Sequence, residues 1–410
     1  MEKVYFNMDY RVASGIVIVM ALFLSVARPV LAEFVPNEQL ISMQRDLIDV
    51  EYNQLRAQFT WCDMNGNLWI GKVDPVSGFF KPANGKAILV DSDAMTVSDL
   101  AITFNGPEWI SSAEGDKIVY TKFAAGMSHT AARARLAVAK ELASGSWTVE
   151  ILPGRPRLSP YASEELMDPS PRITYTDNKE NHFWRELDDA ATEHGIPLPP
   201  SVKSVRFVRG HRAVIFSTPV GSVSQVFLYE IDTQVLSQLT YDGGQKDLQT
   251  VPWMWRAPEF SDDFVFMTVV DNAEIRFYRF DPSYSELDLG NAAAWSKAYS
   301  IALPANTKIA SPEPFIYLGK SYLFFAMTEE PNNFPSSIWL ANIDSSNPIF
   351  RTLNNGILRV RSDPELFVTA SGPYIYYNRY NQTVNPDSPY CAACSEGVFR
   401  AFTGLPSPIQ

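Results

Sequence analysis

The sequence predicts an all-β fold: a β-propeller of four-stranded blades, six expected and seven the alternative, with a short N-terminal helix. Three observations predict it. Twenty-nine Pro and 21 Gly punctuate a 410-residue chain that also carries 25 Phe, 18 Tyr and 9 Trp, the mixture of turn formers and strand formers that many short strands require. From about Phe59 onward, apolar and aromatic runs of strand length alternate with Gly, Pro, Asn and Asp. A motif then recurs at intervals of roughly 50 residues, the size of one propeller blade.

The first 32 residues stand apart from that pattern. Lys3 and Arg11 precede an apolar run from Val12 to Ala27, and Val30-Leu31-Ala32 ends it with an imperfect small-x-small signal-peptidase pattern, Val holding the −3 place. The run is short for a membrane anchor. Residues 1–32 are therefore expected to be a signal peptide, and the mature protein to be periplasmic or secreted. The segment 33–58 is expected to hold the helix, because Leu40, Met43, Leu47, Ile48 and Leu55 recur at helical spacing between Asn37 and Gln58. The propeller is expected to occupy 59–410.

Within that span, Pro107-Glu108-Trp109 precedes Gly115-Asp116-Lys117-Ile118-Val119-Tyr120. Pro258-Glu259-Phe260, Pro312-Glu313-Pro314-Phe315 and Pro364-Glu365-Leu366 each precede a similar apolar-aromatic strand, and Pro160-Tyr161 and Val205-Arg206 supply degenerate copies. A second hairpin follows most anchors, so each unit holds about four strands. One apolar blade face cannot be buried alone, and blades must stack around an axis. A β-sandwich would explain the strands but not the period. The strands from Phe59 to Lys81 either complete the last blade or form a seventh.

Gln238-Leu239-Thr240-Tyr241-Asp242-Gly243-Gly244-Gln245-Lys246 resembles the strand end and turn that close blades in TolB-type propellers. Pro107-Glu108-Trp109 with the later Gly-Asp-Lys-Ile-Val-Tyr resembles the motif that opens them. The resemblance covers about Phe59 to Phe402 and implies a TolB-like propeller. The residues between Ala32 and Phe59 are too few for the separate N-terminal α/β domain of TolB itself.

Equivalent anchors place Glu108, Tyr161, Arg206, Glu259, Glu313 and Glu365 at one position in successive blades. The innermost strand of a propeller opens near the central channel, so these residues are expected to line its mouth as a mainly acidic site for a metal ion, an amine or a sugar. The bland alternative is a set of solvated turn residues on a wide rim. Ser311 to Phe325 also resembles strands of five-bladed glycoside hydrolases, which implies a carbohydrate-active enzyme using Glu313 with Glu108 or Asp363.

Charge and cysteine content narrow the classes. Forty-six acidic against 34 basic residues give a net charge of −12, which excludes recognition of nucleic acid by a basic surface. Three cysteines exclude a disulfide-dense scaffold. Cys391-Ala-Ala-Cys394 follows a proline-rich loop and is expected to be a disulfide staple, with Cys62 a buried thiol. The four histidines have no spacing that pairs them with cysteines, so neither a zinc site nor any other cofactor is expected.

These observations converge on an exported, monomeric binding or scaffolding module of the cell envelope. It is expected to be non-catalytic, to recognise an envelope protein or a glycan, and not to insert its mature chain into a membrane. The segments Ser163 to Asp168 and Asn381 to Cys394 are candidate recognition loops.

Overall fold

Hairpin chemistry sets the architecture. Tyr317 pairs with Lys320 across a two-residue turn in which Leu318 and Gly319 have φ of 48° and 72°, and that left-handed pair suits the twist of the strands it joins. Repetition of such turns gives seven antiparallel sheets among the described residues. The computed structural model describes residues 34–408 except 96–104, 113–114, 164–169, 190, 200–201, 203, 330–333, 387–389 and 392. The proposed signal peptide therefore lies outside the described residues, as does most of the Ser163 to Asp168 loop.

Blade 1 contains Ile48–Asn53, Gln58–Cys62 and Leu68–Val73, with Phe80–Lys81 and Ile88–Asp91 on its outer edge. Blade 2 is Glu108–Ser112, Gly115–Lys122, Arg135–Glu141 and Trp147–Ile151, and blade 3 is Leu158–Ala162, Arg172–Thr176, His182–Glu186 and His194–Ile196. Blade 4 is Arg206–Phe207, Ala213–Val220, Val223–Glu230 and Leu236–Gln238, and blade 5 is Trp253–Ala257, Asp263–Val270, Glu274–Phe280 and Trp295–Ala302. Blade 6 is Thr307–Tyr317, Lys320–Glu329, Ser336–Asn342 and Phe350–Thr352. Blade 7 takes Val360–Thr369, Gly372–Tyr380 and Ser395–Phe402 from one end of the chain, and Glu38–Ser42 from the other.

The core is divided into wedges between neighbouring blades. Trp255, Val265 and Phe277 of blade 5 pack with Leu323, Phe325 and Ala341 of blade 6. Phe59 and Trp61 of blade 1 pack with Phe367 and Tyr376 of blade 7. Burying each face against the next blade is what makes the ring cooperative. Polar ties reinforce the wedges. Asp242, in the turn after blade 4, accepts from Lys246 Nζ at 2.8 Å and from Tyr278 Oη of blade 5 at 2.6 Å. The Gln238 to Lys246 motif thus fastens one blade to the next.

Two sequence expectations are corrected. No helix forms between Asn37 and Gln58; the segment supplies Glu38–Ser42, Ile48–Asn53 and the start of a third strand. Leu40, Met43 and Leu55 are 39%, 77% and 52% exposed, so the helical spacing was no buried face. Pairing of Glu38 with Ala401 and of Tyr52 with Phe59 outweighs local periodicity. The blade count is seven, not six, because that segment opens a blade of its own. Cys391 and Cys394 lie at disulfide geometry with Cα atoms 5.1 Å apart, and Cys62 is a buried free thiol. Among the described residues, no helix is long and apolar enough to cross a membrane.

Candidate functional site: an acidic channel at the axis

Four of the seven innermost strands share a local device. Register shifts interrupt the pairing between Ile48 and Glu51, Leu158 and Tyr161, Ala310 and Glu313, and Ser362 and Glu365. Inside each shift one residue is left-handed: Asp49, Ser159, Ser311 and Asp363, with φ of 57°, 53°, 46° and 55°. Such a bulge twists the strand and re-aims the side chains after it. Backbone in this region costs of order 1 kcal/mol per residue, so its recurrence on the axis marks a shaped surface.

In those four strands the side chain two residues beyond the bulge residue, Glu51, Tyr161, Glu313 or Glu365, is thereby brought to the channel, while Glu108, Arg206 and Trp253 reach it from strands whose pairing is unshifted. Glu51, Glu108, Tyr161, Arg206, Trp253, Glu313 and Glu365, one from each blade, line a cavity of about 440 Å³ together with Asp49 and Asp363. A second cavity of about 520 Å³ shares Asp49, Asn105, Tyr161, Ser204 and Asp363 with the first. Those shared residues form a waist between two chambers. Asn105 braces it, its Nδ2 donating to Glu108 Oε1 at 2.6 Å and to the Pro160 carbonyl at 2.7 Å.

Five of the six residues expected from sequence, Glu108, Tyr161, Arg206, Glu313 and Glu365, meet here. Glu259 does not. It sits in a 3-10 turn, Pro258–Phe260, beyond the far end of the innermost strand, where its Oε1 accepts from the Ser321 backbone at 2.5 Å. The true counterpart in blade 5 is Pro252-Trp253, which the better-matching Pro258-Glu259 disguised. Asp49 and Glu51 were missed because they lay in the segment read as helix. Their signal is the triplet Asp49-Val50-Glu51, matching Asp363-Pro364-Glu365 and Ser311-Pro312-Glu313.

The channel wall is divided. Blades 6, 7, 1 and 2 contribute Glu313, Asp363, Glu365, Asp49, Glu51 and Glu108. Blades 3, 4 and 5 contribute Tyr161, Arg206 and Trp253, and the Arg206 guanidinium lies over both rings, 4.3 Å and 4.8 Å from their centres. Burial pushes Asp49, Glu51 and Glu365 well above the usual carboxylate range, and the charges of their neighbours add to it: Asp363 and Glu108 for Asp49, Glu108 and Asp49 for Glu51, and Glu51 and Glu313 for Glu365. Burial lifts Asp363 to about 6. Like charges that each disfavour ionisation of the next identify one electrostatic unit.

Asp49 is the most enclosed of the group, 5% exposed. Its Oδ2 packs on Gly106, where a Cβ would fall 1.4 Å away. Neither Asp49 Oδ2 nor Asp363 Oδ2 accepts a hydrogen bond from a donor among the described residues. Adjacent carboxylates in that condition are satisfied by a proton held between them or by a cation.

The channel's form can be compared with known proteins. No family model matches the chain, and no curated protein matches it. The β-propeller domain of Cps50 (Swd1) from Myceliophteria thermophila aligns with 90% of this chain and 99% of that one at a TM-score of 0.52 and 9% identity. The likeness is one of fold. A prolyl endopeptidase aligns with 82% of this chain at a TM-score of 0.48 and 12% identity, and the present chain spans about half of its length, 49%. A putative TolB from Agrobacterium tumefaciens aligns with 62% of this chain and 80% of that one at a TM-score of 0.34 and 13% identity, too distant to carry an argument.

Proposed function

We propose that this propeller is an exported binding module of the cell envelope and that its axial channel is the recognition face. One observation carries the reading. Seven equivalent positions hold Glu51, Glu108, Tyr161, Arg206, Trp253, Glu313 and Glu365. A position that served only blade packing would repeat one residue type around the ring; this one varies and sorts its chemistry into an acidic arc and an arginine-aromatic arc. Concave sites with a few convergent polar groups are where propellers and other scaffolds hold ligands. Export is supported by the apolar run from Val12 to Ala27 and the small-residue end at Ala32. The blade-closing resemblance of Gln238 to Lys246 to TolB-type propellers supports an envelope setting.

The test is capture from envelope extract by the wild-type protein beside a Glu51→Gln/Glu365→Gln variant, with N-terminal sequencing of the exported chain. A partner or glycan retained by the wild type and lost from the variant, on a chain beginning at Glu33, is the expected result. Equal capture by both proteins removes the channel as the recognition face, and a cytoplasmic, unprocessed chain removes the export assignment.

A second reading, a carbohydrate-active hydrolase, is favoured by one specific feature. Asp363, lifted to about 6, is partly protonated near neutral pH beside other carboxylates, as a general acid must be. A glycoside screen in which Asp363→Asn abolishes turnover supports it, and absence of turnover on all substrates removes it.

A further inference from the structure

We propose that the acidic arc of the channel binds an alkylammonium, a protonated amine on an apolar stem, seated at Asp49 and Asp363 and ringed by Glu51, Glu108, Glu313 and Glu365. The inference rests on the channel being a recognition face and names the chemistry that face selects.

Asp49, only 5% exposed, lines both chambers and leaves Oδ2 without a hydrogen-bond donor among the described residues. Asp363 Oδ2 is in the same condition. Burying acceptors without donors is unfavourable, and a cationic donor entering the chamber removes that cost. An ammonium carries three N–H donors, enough to serve both orphaned oxygens and a third carboxylate.

A second observation separates an amine from a metal ion. Among the described residues, no group of three or more His, Cys, Asp or Glu is arranged to hold a metal. The carboxylates instead spread around a chamber of about 440 Å³, well above the roughly 30 Å³ that one water occupies in the liquid. A ligand with a carbon stem fills such space. Tyr52 and Trp109 line the same chamber, which leaves apolar surface for the stem beside the carboxylates. The Trp109 indole Nε1 donates to the Glu51 carbonyl at 3.1 Å, which ties the channel strands of blades 1 and 2 together.

The experiment is calorimetric titration of the full-length protein at pH 7.5 and low salt with butylamine and 1,5-diaminopentane, beside CaCl2, MgCl2 and glucose. The expected result is one saturable amine site that Ca²⁺ and Mg²⁺ do not displace, with affinity lowered at least tenfold in Asp363→Asn. Asp49→Asn is expected to do the same, and Glu51→Gln serves should that variant not fold. Absence of amine binding up to about 10 mM, displacement by Ca²⁺, or unchanged affinity in Asp363→Asn overturns the proposal. Channel-dependent partner capture without amine binding sinks this inference alone; loss of that capture as well sinks the recognition reading beneath it.

Discussion

Glu38 and Arg361, 323 residues apart in the chain, form a two-point ion pair at the seam of the ring, Nε to Oε2 at 3.0 Å and Nη2 to Oε1 at 3.1 Å. Both side chains are almost wholly enclosed, 2% and 1% exposed. Arg379 Nη1 and Tyr377 Oη complete the carboxylate's shell at 2.6 Å and 2.8 Å. Removing one partner strands a buried guanidinium, which costs about 3–5 kcal/mol. Glu38→Ala is therefore predicted to lower the urea midpoint sharply, whereas Leu40→Ala, at an exposed position of the same strand, should not. Equal, small effects from both variants would contradict a seam held by this pair.

The seam and the channel respond to pH with opposite signs. Burial alone would raise Glu38, but the hydrogen bonds and charges of Arg361, with Tyr377 and Arg379, hold it below its ordinary 4.5. Its contribution is present above the unfolded value and lost as pH falls through the folded one. Asp363 is raised, from 3.8 to about 6, so its contribution is present below 3.8 and lost as pH rises through about 6. Asp363→Asn is predicted to stabilise the unliganded protein by about 3 kcal/mol at pH 8 and to leave it nearly unchanged at pH 4. Urea titrations at both values check this; a variant less stable at pH 8 contradicts it.

Gly106 gives a test of channel shape. A Cβ there would fall 1.4 Å from Asp49 Oδ2, so Gly106→Ala must displace that carboxylate. The expected cost is about 1–3 kcal/mol of stability, typical of overpacking, together with weaker amine binding. Chemical denaturation and calorimetry on one sample separate the two. An alanine variant that binds as the wild type does would mean Asp49 is not part of the seat.

The tie between blades 4 and 5 gives another. Asp242 joins Lys246, whose side chain is fully buried, to Arg276 and Tyr278. Asp242→Ala leaves the Lys246 ammonium without its carboxylate and is predicted to cost about 3 kcal/mol. Protease nicking near residues 241–247 should rise with it; an unchanged digestion pattern would contradict a tie that holds the two blades.

Much of this was legible in the sequence, and the losses have physical reasons. The repeat of Pro-Glu anchors located the innermost strands of blades 2, 6 and 7, and with them Glu108, Glu313 and Glu365. It failed in blade 5, where a second Pro-Glu pair beyond the strand copied the motif but serves a turn. It failed in blade 1, where Asp49-Val50-Glu51 lacks proline and sits in a stretch with helix-like spacing. That stretch becomes two strands because Ser395–Phe402, from the other end of the chain, pairs with the first and the adjoining Gln58–Cys62 pairs with the second. Local pattern does not encode such closure. The division of the wall into two arcs was likewise invisible, since it depends on which blades are neighbours once the ring closes.

A cation seated among the channel carboxylates would replace a proton held there. Asp49, Glu51, Glu108, Glu313, Asp363 and Glu365 face that position, with Arg206 and Arg209 on the opposite wall. Raised carboxylates must release protons when a cation binds, so titration of 1,5-diaminopentane at pH 6 in buffers of different ionisation enthalpy is the most direct measurement. Net proton release from the wild-type protein, and markedly less from Asp363→Asn, is the expected result. Binding with no proton release, or release unchanged in that variant, would contradict it.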